Sequence, residues 1–227
     1  MSDFVATPGR RPDGLQKPDD YYGNPRVDFL TWVSPRGTRA LDIGCGAGAF
    51  GRTLRHMGFA YLAGIEIAPE AAARARETYD LIHEMPVEEA VPRISETFDL
   101  IICADVLEHL VDPWSVANDL RRLAHGETVL AVSIPNIRYW RALARLAVGK
   151  GFAYETSGIF DSTHLRFFTP ADAKQMLREA GWTPRRVGAP PPGHLLAFRQ
   201  LVRDVTRQWT SQWTARQTWL VCTLTRE

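Results

Sequence analysis

RALDIGCGAGAFG, residues Arg39 to Gly51, decides how this chain is read. Ala40, Leu41 and Ile43 form a short apolar run of the kind a buried parallel strand shows, and Gly44, Gly46 and Gly48 then remove side chains where a helix should begin. A glycine turn between strand and helix permits positive φ and close approach of a ligand, and the unpaired amides of the helix start favour a polar or anionic group. A nucleotide-like ligand is expected there.

Two cofactor classes use this arrangement. Gly46, Gly48 and Gly51 fit GxGxxG, with Glu66 twenty residues beyond Gly46 to hold ribose hydroxyls, so a nicotinamide dinucleotide is permitted. The same stretch also reads DxGxGxG from Asp42 to Gly48, which puts a carboxylate at the strand end. A negative charge there opposes a pyrophosphate and suits a cofactor carrying an ammonium and a sulfonium. S-Adenosyl-L-methionine is the expected cofactor.

Working outward, residues 1–19 have little that can pack and are expected to form a flexible tail, with one domain over 20–227. Tyr21, Tyr22, Val27, Leu30 and Trp32 can line a helix before Pro35 and Gly37, and Tyr22 and Arg26, four apart, would share its face. Arg26 either grips the cofactor carboxylate or is solvated beside core aromatics. Helix is expected at Phe50–Met57, strand at Tyr61–Ile67, helix at Pro69–Tyr79 and a short strand at Leu81-Ile82. Glu66, at the second strand's end, can accept two hydrogen bonds from a cis-diol.

Phe98–Ala104 is a further buried strand, and Asp105-Val106-Leu107-Glu108-His109 leaves its carboxyl end, where open α/β sheets bind ligands. A helix over Trp114–Leu123 stopped by Gly126, a strand over Thr128–Ile134, a helix over Pro170–Ala180, and strands over Trp182–Val187 and Gln217–Leu224 complete a doubly covered parallel sheet. A further helix is expected at Leu195–Arg207, with Trp209 and Trp213 as packing residues. Residues 137–154, basic and apolar at helical spacing, read as a lid, a dock for an anionic or membrane-bound substrate, or an ordinary amphipathic helix.

The net charge of +1 gives no global pull toward nucleic acid or acidic membranes. Cys45, Cys103 and Cys222 lack metal-type spacing and read as buried thiols, and no metal is expected. No apolar run reaches the roughly 18 residues of a membrane helix, and the N-terminus lacks a signal-peptide core, so a cytoplasmic protein without stable membrane insertion, monomer or homodimer, is expected.

LDIGCGAGAFG, GIEI, FDLIICADVLEHLVDPW, SIPNIRYW and GIFDSTHLRFFT, in this order, resemble the class I S-adenosylmethionine-dependent methyltransferases over about residues 20–187. Within them the resemblance is to the broad group that includes the ubiquinone-biosynthesis O-methyltransferases and many small enzymes of bacterial glycan and secondary-metabolite pathways. The resemblance implies an α/β, Rossmann-like seven-stranded sheet, its last strand antiparallel, with a small lid over about 137–168. It implies that Asp42 and the turn Gly44, Cys45, Gly46 and Gly48 serve the methionine end, Glu66 the ribose and Ile67 the adenine. Asp105 to Leu107 would then form the floor near the transferred methyl, with Ala104, Asp105 and Val106 among the cofactor-binding residues. Where family members often carry an acidic residue for the adenine amino group, this chain has Met85-Pro86-Val87.

Methyl transfer from a sulfonium needs a base only if the acceptor must lose a proton. His164, three residues from Asp161, is the first candidate and His109 the second, each also readable as structural. Tyr139 and Arg166 are candidate acceptor contacts, Arg166 through its forked donors to a carboxylate or phosphate, or as a salt bridge in the lid. The expected activity is O- or N-methylation of a small acceptor such as a sugar or glycan, phenol or natural-product intermediate, with S-adenosyl-L-homocysteine as product. A catalytically weak cofactor-binding partner subunit, a peptide methyltransferase and a nicotinamide oxidoreductase are the alternatives. Nucleic-acid methylation is disfavoured, because there is no NPPY-type tetrad and no basic excess.

Overall fold

The computed structural model describes residues 26–148, 152, 154–190 and 212–225. Seven strands form one sheet in the order β3-β2-β1-β4-β5-β7-β6. They are β1 (Arg39–Ile43), β2 (Tyr61–Ile65), β3 (Leu81–His83), β4 (Phe98–Ala104), β5 (Ala124–Pro135), β6 (Trp182–Gly188) and β7 (Gln217–Leu224). β1 to β5 pair in parallel, while β7 runs antiparallel to both β5 and β6. The α/β class, the seven strands and the antiparallel last strand are as expected.

Both faces of the central strands are apolar, because a parallel sheet is covered on each side and successive side chains alternate between the faces. Leu41, Ile43, Ile101, Cys103 and Val132 face a core shared with α5 (Pro113–Asp119) and α7 (Pro170–Glu179). Their neighbours Ala40, Leu100, Ile102 and Ala131 face a second core with α1 (Val27–Val33) and α2 (Ala49–His56), where Phe29 meets the Trp219 ring edge-on at 5.3 Å. Thr169 caps α7 reciprocally with Asp172, and Asp112 caps α5 by accepting from the Ser115 amide at 3.0 Å.

Several boundaries differ from the sequence reading. β2 stops at Ile65, so Glu66 and Ile67 leave the sheet. α3 (Pro69–Ala75) is shorter than expected: Tyr79 drops into the core and the Asp80 carboxylate takes the Leu62 amide at 2.7 Å, which starts the return to the sheet. Gly126 is not a helix stop. β5 begins at Ala124 and carries the glycine into a register irregularity opposite Phe98 and Leu100. Arg26 precedes α1 as its N-cap with a left-handed φ of 36°, while the helix face it was expected to share with Tyr22, the 1–19 tail and Leu195–Arg207 lie outside the described residues. α4 (Val87–Ala90) is a single turn, and Ala142 and Leu146 of α6 (Trp140–Ala147), with Tyr139 just before it, pack with Ile159 and Phe160 as a small satellite core. Among the described residues no helix is long and apolar enough to cross a membrane.

Candidate active site

The glycine turn leaves β1 with Gly44, Gly46 and Gly48 at φ of 68°, 54° and 84°. At Gly44 and Gly48 the left-handed backbone is what admits the turn, and a side chain at Gly44 would also sit 2.7 Å from Val106 Cγ2. The Gly44 and Cys45 amides both donate to the Ile65 carbonyl, at 2.8 and 3.1 Å, pinning the turn to the end of β2. Beside it, Glu66 is buried and its two oxygens accept from the Gly46 and Ala68 amides at 2.9 and 2.8 Å. A carboxylate offers about four lone-pair sites, so two sites stay available for a ribose diol.

Asp42, expected as a carboxylate at the strand end, is more enclosed than the motif alone implies. It lies fully buried beneath the turn, the Tyr79 hydroxyl donates to its Oδ2, and Oδ1 is buried without a hydrogen-bond partner among the described residues. Burial pushes its acid up to about 7, against the lowering by the Tyr79 hydrogen bond, with the Glu66 charge adding to the rise. An unpartnered buried carboxylate oxygen and three left-handed glycines beside Glu66 fit an ammonium-bearing nucleoside cofactor. Ile67 is 60% exposed just past β2, a free apolar surface of the kind an adenine can cover. Glu84 pairs with Arg76 at 2.7 Å, and the thiols are inert: burial raises all three, Cys222 to about 12.

At the carboxyl ends of β4, β5 and β7 a second group assembles. Arg26 donates to Asp105 Oδ2 at 2.5 Å, to Ser133 Oγ at 2.9 Å and to Gln217 Oε1 at 2.9 Å. Gln217 Nε2 and Ser133 Oγ donate in turn to the Asp105 carboxylate, whose residue has a strained φ of 58°. Arg26 and Asp105, expected separately at the cofactor, are therefore joined, and Asp105 follows directly on Ala104 and precedes Val106 against the turn. Ser133 and Gln217 were not anticipated. Gln217 stands 112 residues from Asp105, and its polar side chain at the start of an apolar strand was the available signal.

The three candidate acid-base residues converge. The backbone carbonyl of Glu108 accepts from the Leu165 and Arg166 amides at 2.8 and 3.0 Å, which stitches the 158–168 segment to the loop after β4. The His109 and His164 rings then meet edge-on at 4.7 Å. His164 is 7% exposed with Nδ1 at 3.0 Å from the Ile159 carbonyl, whereas His109 is only partly buried. Asp161 Oδ1 accepts from the Thr163 amide and hydroxyl at 2.9 and 2.8 Å, and Thr163 Oγ1 lies 3.0 Å from His109 Nδ1. Asp161 thus acts on His109 through Thr163. Glu108, which the sequence reading did not single out, is 1% exposed; burial and the charges of Asp105 and Asp161 push its acid well up, opposed by Arg26. Tyr139 belongs to the satellite core around Ile159 and Phe160, while Arg166 donates to the Val111 carbonyl at 2.6 Å and lines a cavity of about 320 Å³ with Trp114, Phe168 and Met176.

A family model described as a methyltransferase domain matches residues 20–187. The chain is 30% identical over 178 residues to the ubiquinone biosynthesis O-methyltransferase of Xylella fastidiosa (strain 9a5c), covering 75% of this chain and 71% of that one. To the enzyme of the same name from Aeromonas salmonicida (strain A449) it is 28% identical over 177 residues, 74% of each chain. Among solved structures, a SAM-dependent methyltransferase from Archaeoglobus fulgidus matches with a TM-score of 0.63 at 15% identity, over 91% of this chain and 96% of that one. Magnesium protoporphyrin IX methyltransferase from Synechocystis PCC 6803, solved with bound SAH, gives 0.59 at 16% identity, over 88% and 80%. At such identities these two likenesses speak to the fold alone. The chain belongs to the methyltransferase family, as an enzyme of the class I, S-adenosylmethionine-dependent kind.

Proposed function

We propose that this enzyme methylates an oxygen of a small hydroxylated acceptor, of the phenol class that the name of its relatives suggests, bound between the β4 edge and the lid over 137–168. The observation that carries the reading is the meeting of His109, His164 and Glu108 at the carboxyl end of β4, one loop away from the Asp105 network. A thiolate acceptor needs no such group, whereas a hydroxyl must lose its proton.

When bound, S-adenosylmethionine supplies an activated methyl on a positively charged sulfur. The chain contributes position and proton handling. Glu66 and the glycine turn fix the nucleoside, and the Arg26-Asp105-Ser133-Gln217 group holds the floor beside Val106. With the cofactor bound, the imidazole-carboxylate group would take the proton of the acceptor hydroxyl as its oxygen accepts the methyl, the C–S electron pair leaving on sulfur. His109, only partly buried and oriented through Thr163 and Asp161, is better placed to receive a proton than the enclosed His164.

The test is methyl transfer from isotopically labelled cofactor to a panel of phenols, catechols, sugars and amines, read by mass spectrometry. Methylation of a hydroxyl that falls by about 10²–10⁴-fold in His109→Ala, the usual share of a general base, is expected. Turnover confined to amines, or full activity in His109→Ala, overturns the reading.

A further inference from the structure

We infer that Tyr79 is a positioning residue for the cofactor: its hydroxyl holds the buried Asp42 carboxyl by one oxygen and keeps the other, Oδ1, for the ammonium of the methionine end. This role rests on the assignment of Asp42 to that end and is independent of what the acceptor is.

Gly51 completes GxGxxG in the sequence, yet it lies inside α2 without a left-handed φ, so no turn requires a glycine there. Tyr79 requires it. A Cβ on Gly51 would stand 2.6 and 2.8 Å from Cε2 and Cζ of the Tyr79 ring, and one on Gly48 would stand 3.5 Å from Cε2. The ring is buried against the backbone of the motif, and its hydroxyl emerges at Asp42 Oδ2. Glycine inside a helix is destabilising relative to alanine, so α2 gives up stability for the space that this phenol occupies.

The charge around Asp42 points to what the phenol is for. The carboxyl is 1% exposed, and Oδ1 has no hydrogen-bond partner among the described residues. The groups that face it are the Tyr79 phenol from beyond α3, the Glu66 carboxylate after β2, the Cys45 thiol in the turn and the Cys103 thiol on β4, and none of these is a cation. An enclosed carboxylate is costly without a positive partner.

Burial drives the Asp42 acid up, and the Tyr79 hydrogen bond opposes that rise. Burial also holds the phenol well above its ordinary range, so Tyr79 stays a donor wherever the enzyme is folded near neutral pH. Tyr79 therefore makes Asp42 easier to ionise and fixes which oxygen is left over, the two things a cationic partner needs. S-Adenosylmethionine brings that cation as its ammonium.

The experiment is calorimetric titration of the full chain, from about pH 5.5 to 8.5, with S-adenosylhomocysteine and with 5′-methylthioadenosine, which shares the nucleoside and thioether but lacks the amino-acid end. In the wild type, affinity for S-adenosylhomocysteine should rise as pH passes through about 7, with a proton released to the buffer, while that for 5′-methylthioadenosine stays flat. Tyr79→Phe keeps the ring. It is expected to weaken S-adenosylhomocysteine about tenfold at neutral pH, to leave 5′-methylthioadenosine within about twofold, and to move the rise to higher pH. In an Asp42→Asn background the same change should have no further effect. Tyr61→Phe, which removes a phenol donor from Glu96 at 3.1 Å, should alter neither ligand. Gly51→Ala displaces the ring but keeps its hydroxyl, and the same ligand-selective loss in it decides the matter if a thermal melt shows Tyr79→Phe unfolded. Equal losses for the two ligands would make Tyr79 a structural prop and overturn the role, as would unchanged S-adenosylhomocysteine affinity or a pH profile that both ligands share.

Discussion

Replacing Glu66 by alanine tests the cofactor site at its most specific point. Two of the four lone-pair sites of this carboxylate are taken by the Gly46 and Ala68 amides, at 2.9 and 2.8 Å, which leaves two for a ribose diol. Hydrogen bonds to a charged group contribute about 1.5–3 kcal/mol each, so two lost diol bonds amount to about 3–6 kcal/mol, or roughly 10²–10⁴-fold in affinity. The same change strands the buried amide of Gly46, which costs about 1–3 kcal/mol of stability. Glu66→Gln keeps one acceptor and places a donor against an amide, so its affinity should fall between wild type and alanine. Calorimetric titration with S-adenosylhomocysteine, beside a denaturant melt, separates the two effects. A Glu66→Ala protein that is folded and binds within about threefold of wild type would refute the assignment of Glu66 to the ribose.

Asp42 sets a pH dependence. Its acid is raised from 3.8 to about 7 in the folded chain, so between those values the native state holds the extra proton; stability is fully present below about 4 and declines as pH rises through about 7. Denaturant midpoints from pH 5 to 8 should fall in the wild type and flatten in Asp42→Asn, and equal slopes would contradict the burial argument. Gly44→Ala should cost about 2–4 kcal/mol, from the left-handed φ and the 2.7 Å approach to Val106, and adding Val106→Ala should recover only the steric part in a double-mutant cycle. Arg26→Ala leaves Asp105 with Ser133 and Gln217 alone; a loss of about 1–3 kcal/mol that shrinks at high salt is expected, and a neutral result would show that the pair is decorative.

The sheet was legible because its central strands are buried on both faces and read as continuous apolar runs: FDLIICA needs no partner to be recognised as β4. The glycine turn was legible for a similar local reason. Boundaries set by side chains reaching back to the sheet were not, as at Asp80, whose carboxylate rather than any helix-stop residue ends the α3 region. The full burial of Asp42 was not legible, since a motif shows that a carboxylate leaves a strand but not that Tyr79 will close over it. Gln217 and Ser133 escaped because their roles exist only once β7 lies between β5 and β6. His109 and His164 were each singled out, yet their contact depends on two amides of the 158–168 segment finding one carbonyl at Glu108.

The position of β7 also bears on how the molecule is made. Among the described residues β6 has no strand partner other than β7, which joins it to β5. On a ribosome, the cofactor turn and the first five strands emerge complete while β6 still waits for a neighbour. Until Gln217–Leu224 has been synthesised and slid between two strands already formed, Arg26 and Asp105 lack the amide that bonds to both. β7 therefore works as a latch, and a chain halted before it presents the inner edge of β5 and an unpaired β6 to the cell.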